Sequence, residues 1–223
     1  FDRLNEVKEE ISLYKNSVLE GLYPFISVGH MLATHYDAVV TNPPYMGASG
    51  MGTKLSKYVK DNYQDSKSDL FAVFIEKCSQ MVKKDAYQAM ITQHAWMFLS
   101  SFEKLRNKIQ MSDIVNMAHL GPRAFEEIGG EVVQTTSFIF RKSHIKRFKG
   151  TYCRLIEPTT QQGKEKMFLN AENRYFEEQE NFSKIPGNLV AYWASKTLIK
   201  DFTIGKVLKA EGDTRQGMAT SDN

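Results

Sequence analysis

Four consecutive residues, Asn42, Pro43, Pro44 and Tyr45, have the types and the position to do chemistry. They follow residues 37–41, whose apolar side chains between polar ones predict a short buried strand that the prolines end. Neither proline has an N–H group, so the turn cannot continue pairing with a sheet. An amide and an aromatic ring then lie just beyond the carboxyl end of a strand, where open α/β sheets bind ligands. The alternative is an ordinary proline turn with Tyr45 in the core.

This Asn-Pro-Pro-Tyr stretch resembles motif IV of the amino-methyltransferases that use S-adenosylmethionine, most of which methylate N6 of adenine in DNA. The resemblance implies that the Asn42 side-chain oxygen and the Pro43 carbonyl accept both hydrogens of the amino group. Such contacts strengthen as positive charge develops on the nitrogen, so they stabilise the transition state. The resemblance also implies that Pro44 completes the catalytic turn and that Tyr45 stacks on a base flipped out of the duplex.

The elements around this turn alternate between strands and helices, which predicts a mainly parallel α/β sheet with crossover connections. The last two predicted strands follow each other like a hairpin, which indicates one antiparallel strand. After the strand at 37–41, the predicted order is a helix at 69–83, a strand at 86–92, a helix at 101–110, and strands at 114–120 and 132–141.

The ends of the chain have weaker patterns. Apolar residues at helical spacing predict an amphipathic helix over residues 1–19, ended by residues 21–24 and followed by a connector to residue 35. The polar, turn-rich residues 158–163 are the best candidate for a linker. We therefore expect a methyltransferase catalytic domain over residues 1–158, and a linker with the start of a target-recognition domain over residues 159–223.

Two basic stretches are candidates for contacts with the DNA backbone. The first is the glycine-containing stretch 46–67, whose lysines alternate with tyrosines, and the second is the basic run that ends the last predicted strand. In each, a solvated loop is the competing interpretation. The candidate residues are Lys54, Lys57, Lys60, Arg141, Lys142, Lys146 and Arg147.

The resemblance covers essentially the whole chain, from motif IV to the segment that opens the target-recognition region. It is strongest to the PglX methyltransferases of BREX phage-defence systems and to type IIG restriction-modification enzymes similar to Eco57I. It implies the C-terminal half of a class I, Rossmann-like methyltransferase sheet, with its last strand antiparallel between its neighbours. Asp69, at the start of the motif V helix, becomes a candidate cofactor contact, and Phe138, in the motif VIII position, a candidate contact to the target base.

In this family the glycine-rich cofactor loop precedes motif IV, and no such loop occurs before residue 42. We therefore expect a fragment that is inactive alone, cut from a site-specific adenine DNA methyltransferase. Its partners would be S-adenosylmethionine, double-stranded DNA and other proteins of a defence system. The alternatives are a methyltransferase acting on protein glutamine or RNA adenine, and a non-catalytic module that binds DNA or a partner protein.

The bulk composition agrees with a globular protein that can bind nucleic acid. The chain has 223 residues and a formal net charge of +3, which permits a nucleic-acid partner without requiring one. Its 2 cysteines and 5 histidines show no metal-ligand spacing, so we expect no metal site. No signal peptide or membrane-spanning run occurs, which indicates a cytoplasmic protein.

Overall fold

A computed structural model describes residues 6, 15–125, 133–171, 173–206 and 211–212. The helices in this part of the chain are α1 (Lys15–Ala33), α2 (Thr53–Asn62), α3 (Leu70–Met81), α4 (Glu103–Ile109), α5 (Gln161–Asn170) and α6 (Lys196–Ile204). The strands are β1 (Tyr36–Thr41), β2 (Val82–Gln93), β3 (Asp113–Gly121), β4 (Thr135–Arg141), β5 (Lys149–Arg154) and β6 (Arg174–Glu178).

The six strands form one sheet in the order β1-β2-β4-β3-β5-β6. β1 and β2 are parallel, as are β3 and β5, whereas β4 is antiparallel to both β2 and β3. This confirms the predicted α/β class, in which the last strand of the methyltransferase sheet lies antiparallel between its neighbours. The carboxyl ends of β1, β2 and β3 consequently meet at one edge of the sheet, which is called the carboxyl edge below.

Helix α3 packs against the sheet, and its sequence explains both where it begins and which face it buries. Asp69 precedes the helix in an extended conformation, and its side chain accepts a hydrogen bond from the Phe71 N–H group. The apolar face of the helix then packs into the main core together with residues of β2, β3 and β4. This core contains Phe71, Ala72, Ile75, Cys78, Met90, Trp96, Met97, Phe102, Leu105, Ile109, Ile114, Met117, Phe138, Phe140, Tyr152, Phe182, Val190 and Tyr192.

The predicted helix end at residues 21–24 and the connector over residues 25–35 are wrong. Helix α1 runs through Pro24 to Ala33, while most of the helix predicted over residues 1–19 lies outside the described residues. Apolar residues continue beyond the proline at helical spacing, at Phe25, Val28 and Leu32. A proline removes one hydrogen bond from the ladder and can bend a helix, and here the helix continues past it.

The linker predicted at residues 158–163 is also wrong. Thr160 caps helix α5, because its hydroxyl accepts a hydrogen bond from the Gly163 N–H group at 3.1 Å. Beyond this helix, β6 joins the same sheet, and Tyr192 is part of the main core. The core therefore does not divide at residue 158, where the sequence suggested a domain boundary.

Strand β1 forms one border of the described sheet, since it pairs with β2 on one side only. The strand predicted over residues 37–41 is present, but its predicted burial is wrong: none of its residues is buried, and Val40 is 76% exposed. Helix α1, which precedes it, exposes Phe25 at 77%. No described helix is both long enough and apolar enough to cross a membrane.

Candidate active site at the carboxyl edge

Asn42 to Tyr45 leave the end of β1 as an irregular turn at the carboxyl edge. The Asn42 side chain is exposed and makes no hydrogen bond to any residue that the structure describes. Pro43 is buried and Pro44 is exposed, so the turn is anchored on one side and open on the other. An amide that is held in place by its backbone and is free at its polar atoms is available to an incoming group.

Tyr45 is half-buried, and its ring meets the ring of Phe71 edge to face, with centroids 6.2 Å apart. Its hydroxyl is buried without a hydrogen-bond partner. Burial raises the pKa of the Tyr45 hydroxyl to about 12, so this group stays neutral. The interpretation of Tyr45 as purely a core residue is therefore only partly right, since the ring contacts the core from the turn itself.

Asp69 holds the turn in place from the start of α3. One of its carboxylate oxygens accepts the backbone N–H groups of Met46 at 3.0 Å and of Phe71 at 3.2 Å. The Leu70 N–H group donates to the Met46 carbonyl at 2.9 Å. Asp69 is thus a helix cap that also fixes the residue after Tyr45, and no described contact bears on the cofactor role predicted for it.

Helix α2 presents its lysines to solvent close to this turn. Met46 to Gly52 join the turn to the helix, and Lys54, Lys57 and Lys60 are all exposed. The opposite side of the helix is held by a small apolar cluster that contains Met51, Val59, Tyr63, Leu70 and Val73. Met46, the residue after Tyr45, packs against the same cluster, so helix α2 lies next to the turn.

Phe138 does not lie where a base could stack on it. The residue is 1% exposed, and its ring is packed against Phe140 at 4.1 Å and Trp96 at 5.5 Å between centroids. In the strand ladder it pairs with Met90 and Met117, both of which are buried. The structure makes Phe138 a core residue, because both of its neighbouring strands direct apolar side chains to the same face.

The basic run at the end of β4 lies at the opposite end of the sheet from Asn42. β4 is antiparallel, so Arg141 pairs with Tyr87 in the middle of β2, which in turn pairs with Ala38 on β1, four residues before Asn42. Arg141 forms an ion pair with buried Asp113 at 3.0 Å, and the Lys142 ammonium donates to the Val82 carbonyl at 2.8 Å.

Lys146 and Arg147 follow β4 at that same end and are exposed. The structure therefore does not bring the predicted backbone contacts Arg141, Lys142, Lys146 and Arg147 to the site. An antiparallel strand carries its last residues away from the carboxyl edge, a consequence of the predicted direction of β4 that the sequence interpretation of these residues did not include.

A second group of polar side chains at the carboxyl edge was missed in the sequence. His94 directly follows β2, and its Nδ1 lies 2.8 Å from Nε2 of His119 on β3. His119 Nδ1 lies 3.1 Å from the hydroxyl of Tyr192. Burial lowers the pKa of both histidines, that of His119 to about 3, so both are neutral at physiological pH. The position of His94 after a parallel strand was the available signal, the same one that identified Asn42.

Among the described residues, no group of three side chains could hold a metal ion. Cys78 and Cys153 are buried and unpaired, and burial raises the pKa of both thiols. At the carboxyl edge, the Asn42 amide and the neutral imidazoles of His94 and His119 are groups that can hydrogen-bond an organic substrate.

The strand order and the turn after β1 define an α/β domain of the methyltransferase type. Residues 2–125 match the family described as Eco57I restriction-modification methylase. The chain belongs to this family.

Two curated proteins are similar to this chain over most of its length. It is 47% identical to adenine-specific methyltransferase PglX of Lacticaseibacillus casei (strain Zhang) over 209 residues, which are 89% of this chain and 17% of that protein. It is 39% identical to adenine-specific methyltransferase BrxX of Escherichia coli O9:H4 (strain HS) over 203 residues, which are 90% of this chain and 17% of that protein. The chain thus spans 17% of the length of each.

A solved structure from a type I restriction-modification system has a similar fold. It superposes with a TM-score of 0.55 at 18% identity and covers 71% of this chain and 38% of that chain. At this level of identity the similarity concerns the fold alone.

Proposed function

We propose that this chain forms the target-base side of the active site of an adenine-N6 DNA methyltransferase that acts in phage defence or restriction-modification. The family and the two relatives named as adenine-specific methyltransferases support this assignment. The observation that carries it is the Asn42 amide, which is exposed and unpaired at the end of β1, on a turn that Pro43 and Asp69 hold in place.

The adenine amino group is a weak nucleophile, because its lone pair is delocalised into the ring. In the proposed reaction the Asn42 side-chain oxygen and the Pro43 carbonyl accept the two amino hydrogens, which favours a pyramidal nitrogen. The nitrogen forms a bond to the methyl carbon as the carbon–sulfur bond breaks, and it then loses one proton to solvent. The acceptors contribute most when the nitrogen becomes positive, which is the condition for catalysis by differential binding.

The residues present fit the methyl end of S-adenosylmethionine better than its ribose. The described turn provides hydrogen-bond acceptors, and the carboxylate that contacts it, that of Asp69, already accepts two backbone N–H groups. We propose that Asn42 and Pro43 border the sulfonium methyl, which the cofactor supplies as an electrophile.

DNA is the proposed substrate because an exposed basic helix lies beside the turn. Lys54, Lys57 and Lys60 on α2 can neutralise phosphates next to a flipped base, while Tyr45 faces it. We further propose that the segment beyond Tyr192 leads into a region that reads the DNA sequence.

The test is methyl transfer from labelled S-adenosylmethionine to duplex DNA by the full-length protein. Replacement of Asn42 by Ala should lower methylation by at least about 100-fold, as for loss of a group that stabilises the transition state, and leave DNA binding intact. Asn116→Ala, at another exposed asparagine on β3, is the matched control.

Two other functions are distinguished in the same assay. If labelled methyl groups enter a protein glutamine or RNA adenine instead of duplex DNA, the chemistry stands and the substrate changes. If no acceptor is methylated and Asn42→Ala has no effect while DNA is bound, the chain is a binding module and the proposal fails.

A further inference from the structure

Three side chains form a hydrogen-bonded chain from the core to the carboxyl edge. Tyr192 is 2% exposed and contacts His119, which is 5% exposed and contacts half-buried His94. The backbone is fixed at both ends, because the His94 N–H group donates to the Gln134 carbonyl and the Val190 N–H group donates to the Met97 carbonyl. The chain of hydrogen bonds therefore runs from buried Tyr192, which follows β6, through His119 to His94, which follows β2.

The position of each proton in this chain follows from hydrogen-bond satisfaction. The buried Tyr192 hydroxyl has His119 Nδ1 as its described partner, so its proton is satisfied only if Tyr192 donates to that nitrogen. A neutral His119 then carries its hydrogen on Nε2 and donates it to His94 Nδ1. A neutral His94 must in turn carry its hydrogen on Nε2. No described residue accepts that hydrogen.

His94 lies at the same carboxyl edge of the sheet as the proposed catalytic turn. Thr41 pairs with Met90, so Asn42 is level with Ile91 on the neighbouring parallel strand, three residues before His94. Strands about 4.8 Å apart with a rise of about 3.3 Å per residue place the two Cα atoms about 11 Å apart. An amide and an imidazole carried by neighbouring strand ends at this separation can contact one base between them.

We propose that the His94 Nε2–H group donates a hydrogen bond to N1 of the target adenine, and that His119 and Tyr192 are positioning residues that fix this tautomer. This inference rests on the proposed function and adds a determinant of base specificity to it. N1 adjoins the carbon that bears the amino group and has no hydrogen in adenine. Guanine and thymine carry a hydrogen at the corresponding ring nitrogen, which would oppose the His94 donor. Flipped bases are commonly recognised along this Watson–Crick edge.

The experiment compares the full-length protein on duplexes that contain either adenine or 1-deazaadenine at the target position. The wild type must first methylate adenine, and failure at this step refutes the proposed function and not the inference alone. With that activity present, 1-deazaadenine should lower kcat/KM by about tenfold or more, since a base contact of this kind contributes on that scale. A duplex with 7-deazaadenine, which keeps N1, is the control and should react within about twofold of adenine. An equal loss with both analogues, or none with 1-deazaadenine, overturns the inference without any change to the protein.

Protein variants test the same contact from the other side. His94→Phe should lose activity on adenine and show no further loss on 1-deazaadenine. If the loss from the variant and the loss from the analogue instead multiply, the two changes act independently and the contact is overturned. His94→Gln places an amide N–H group near the position of Nε2 and should restore discrimination between the two duplexes. His94→Asn has a shorter side chain and should not restore it. Tyr192→Phe should lower kcat/KM on adenine and leave the rate on 1-deazaadenine unchanged, a pattern that a purely structural role would not give.

Discussion

The Asp69 carboxylate lies 3.0 Å from the backbone nitrogen of Met46, the residue immediately after Tyr45. The same oxygen caps helix α3, so the helix and the proposed catalytic turn share one acceptor. The position of the turn therefore depends on the helix start, although the two lie more than twenty residues apart in the chain.

Asp69→Ala should destabilise the protein by about 1–2 kcal/mol, because it removes a helix cap and leaves a second backbone N–H group without its partner. Methylation should fall as well, since Met46 is no longer fixed. Asp69→Asn keeps an oxygen acceptor and is the matched control. Urea unfolding combined with the methylation assay measures both effects, and equal results for Ala and Asn would contradict the role of the shared acceptor.

Tyr45→Phe should be neutral or stabilising by up to about 1 kcal/mol, because the hydroxyl that it removes is buried without a partner. Methylation should be retained, since the ring and its contact with Phe71 remain. Tyr45→Ala removes the ring and should reduce both stability and activity. If Phe at this position abolishes activity while the fold is kept, the hydroxyl has a partner in the working enzyme, and the stacking role assigned to the ring is incomplete.

Replacement of Lys54, Lys57 and Lys60 by Ala should weaken DNA binding and reduce its dependence on salt. The slope of log affinity against log salt concentration should fall by about 1 for each lysine that contacts a phosphate. The matched variant replaces Lys146 and Arg147, which are equally exposed but lie at the other end of the sheet. Fluorescence anisotropy at several salt concentrations gives both slopes, and a larger effect of the second variant would reverse the proposed DNA path.

The stability of the chain should fall as the pH is lowered from 8 to 5 because of His119. Burial, together with the nearby His94, Arg154 and Lys164, lowers the pKa of His119 from its ordinary 6.5 to about 3. Below pH 6.5 the unfolded chain then binds more protons than the folded chain. The contribution of His119 to the free energy of unfolding is therefore fully present above that pH and is lost as the pH falls toward 3. At about 1.4 kcal/mol per pH unit, the loss by pH 5 is about 2 kcal/mol.

Urea unfolding at pH 8, 6 and 5 measures this dependence. The variant His119→Gln lacks the titrating group and should show a flatter profile. An identical profile for the two proteins would show that His119 is accessible to solvent protons and not buried as described.

Local sequence patterns were sufficient for the position of the strand before Asn42, though not for its burial, for the cap and apolar face of α3, and for the antiparallel direction of β4. Each depends on neighbouring residues, such as the prolines that end β1 and the Asp69 side chain that begins α3. The same patterns could not assign the role of Phe138, because an aromatic residue in a strand can face a ligand or the core. Only its pairing with Met90 and Met117 decides between them.

The other errors also concern contacts between distant residues. The basic residues after Phe140 looked suited to DNA, and the direction of β4 places them away from the turn. His94 and His119 are 25 residues apart and meet only because β2 and β3 end at the same edge. Pro24 and Pro158 marked breaks in the sequence, whereas the structure continues a helix through the first and keeps the same core beyond the second.

The strand order also has a consequence for synthesis on the ribosome. β4 lies between β2 and β3 but emerges after both of them. Until the last residue of β4 has left the exit tunnel, β2 and β3 both lack the strand that lies between them. During this time they must not pair with one another. Biogenesis of this domain therefore depends on a late insertion step, during which exposed strand edges are vulnerable to wrong pairing and to proteolysis.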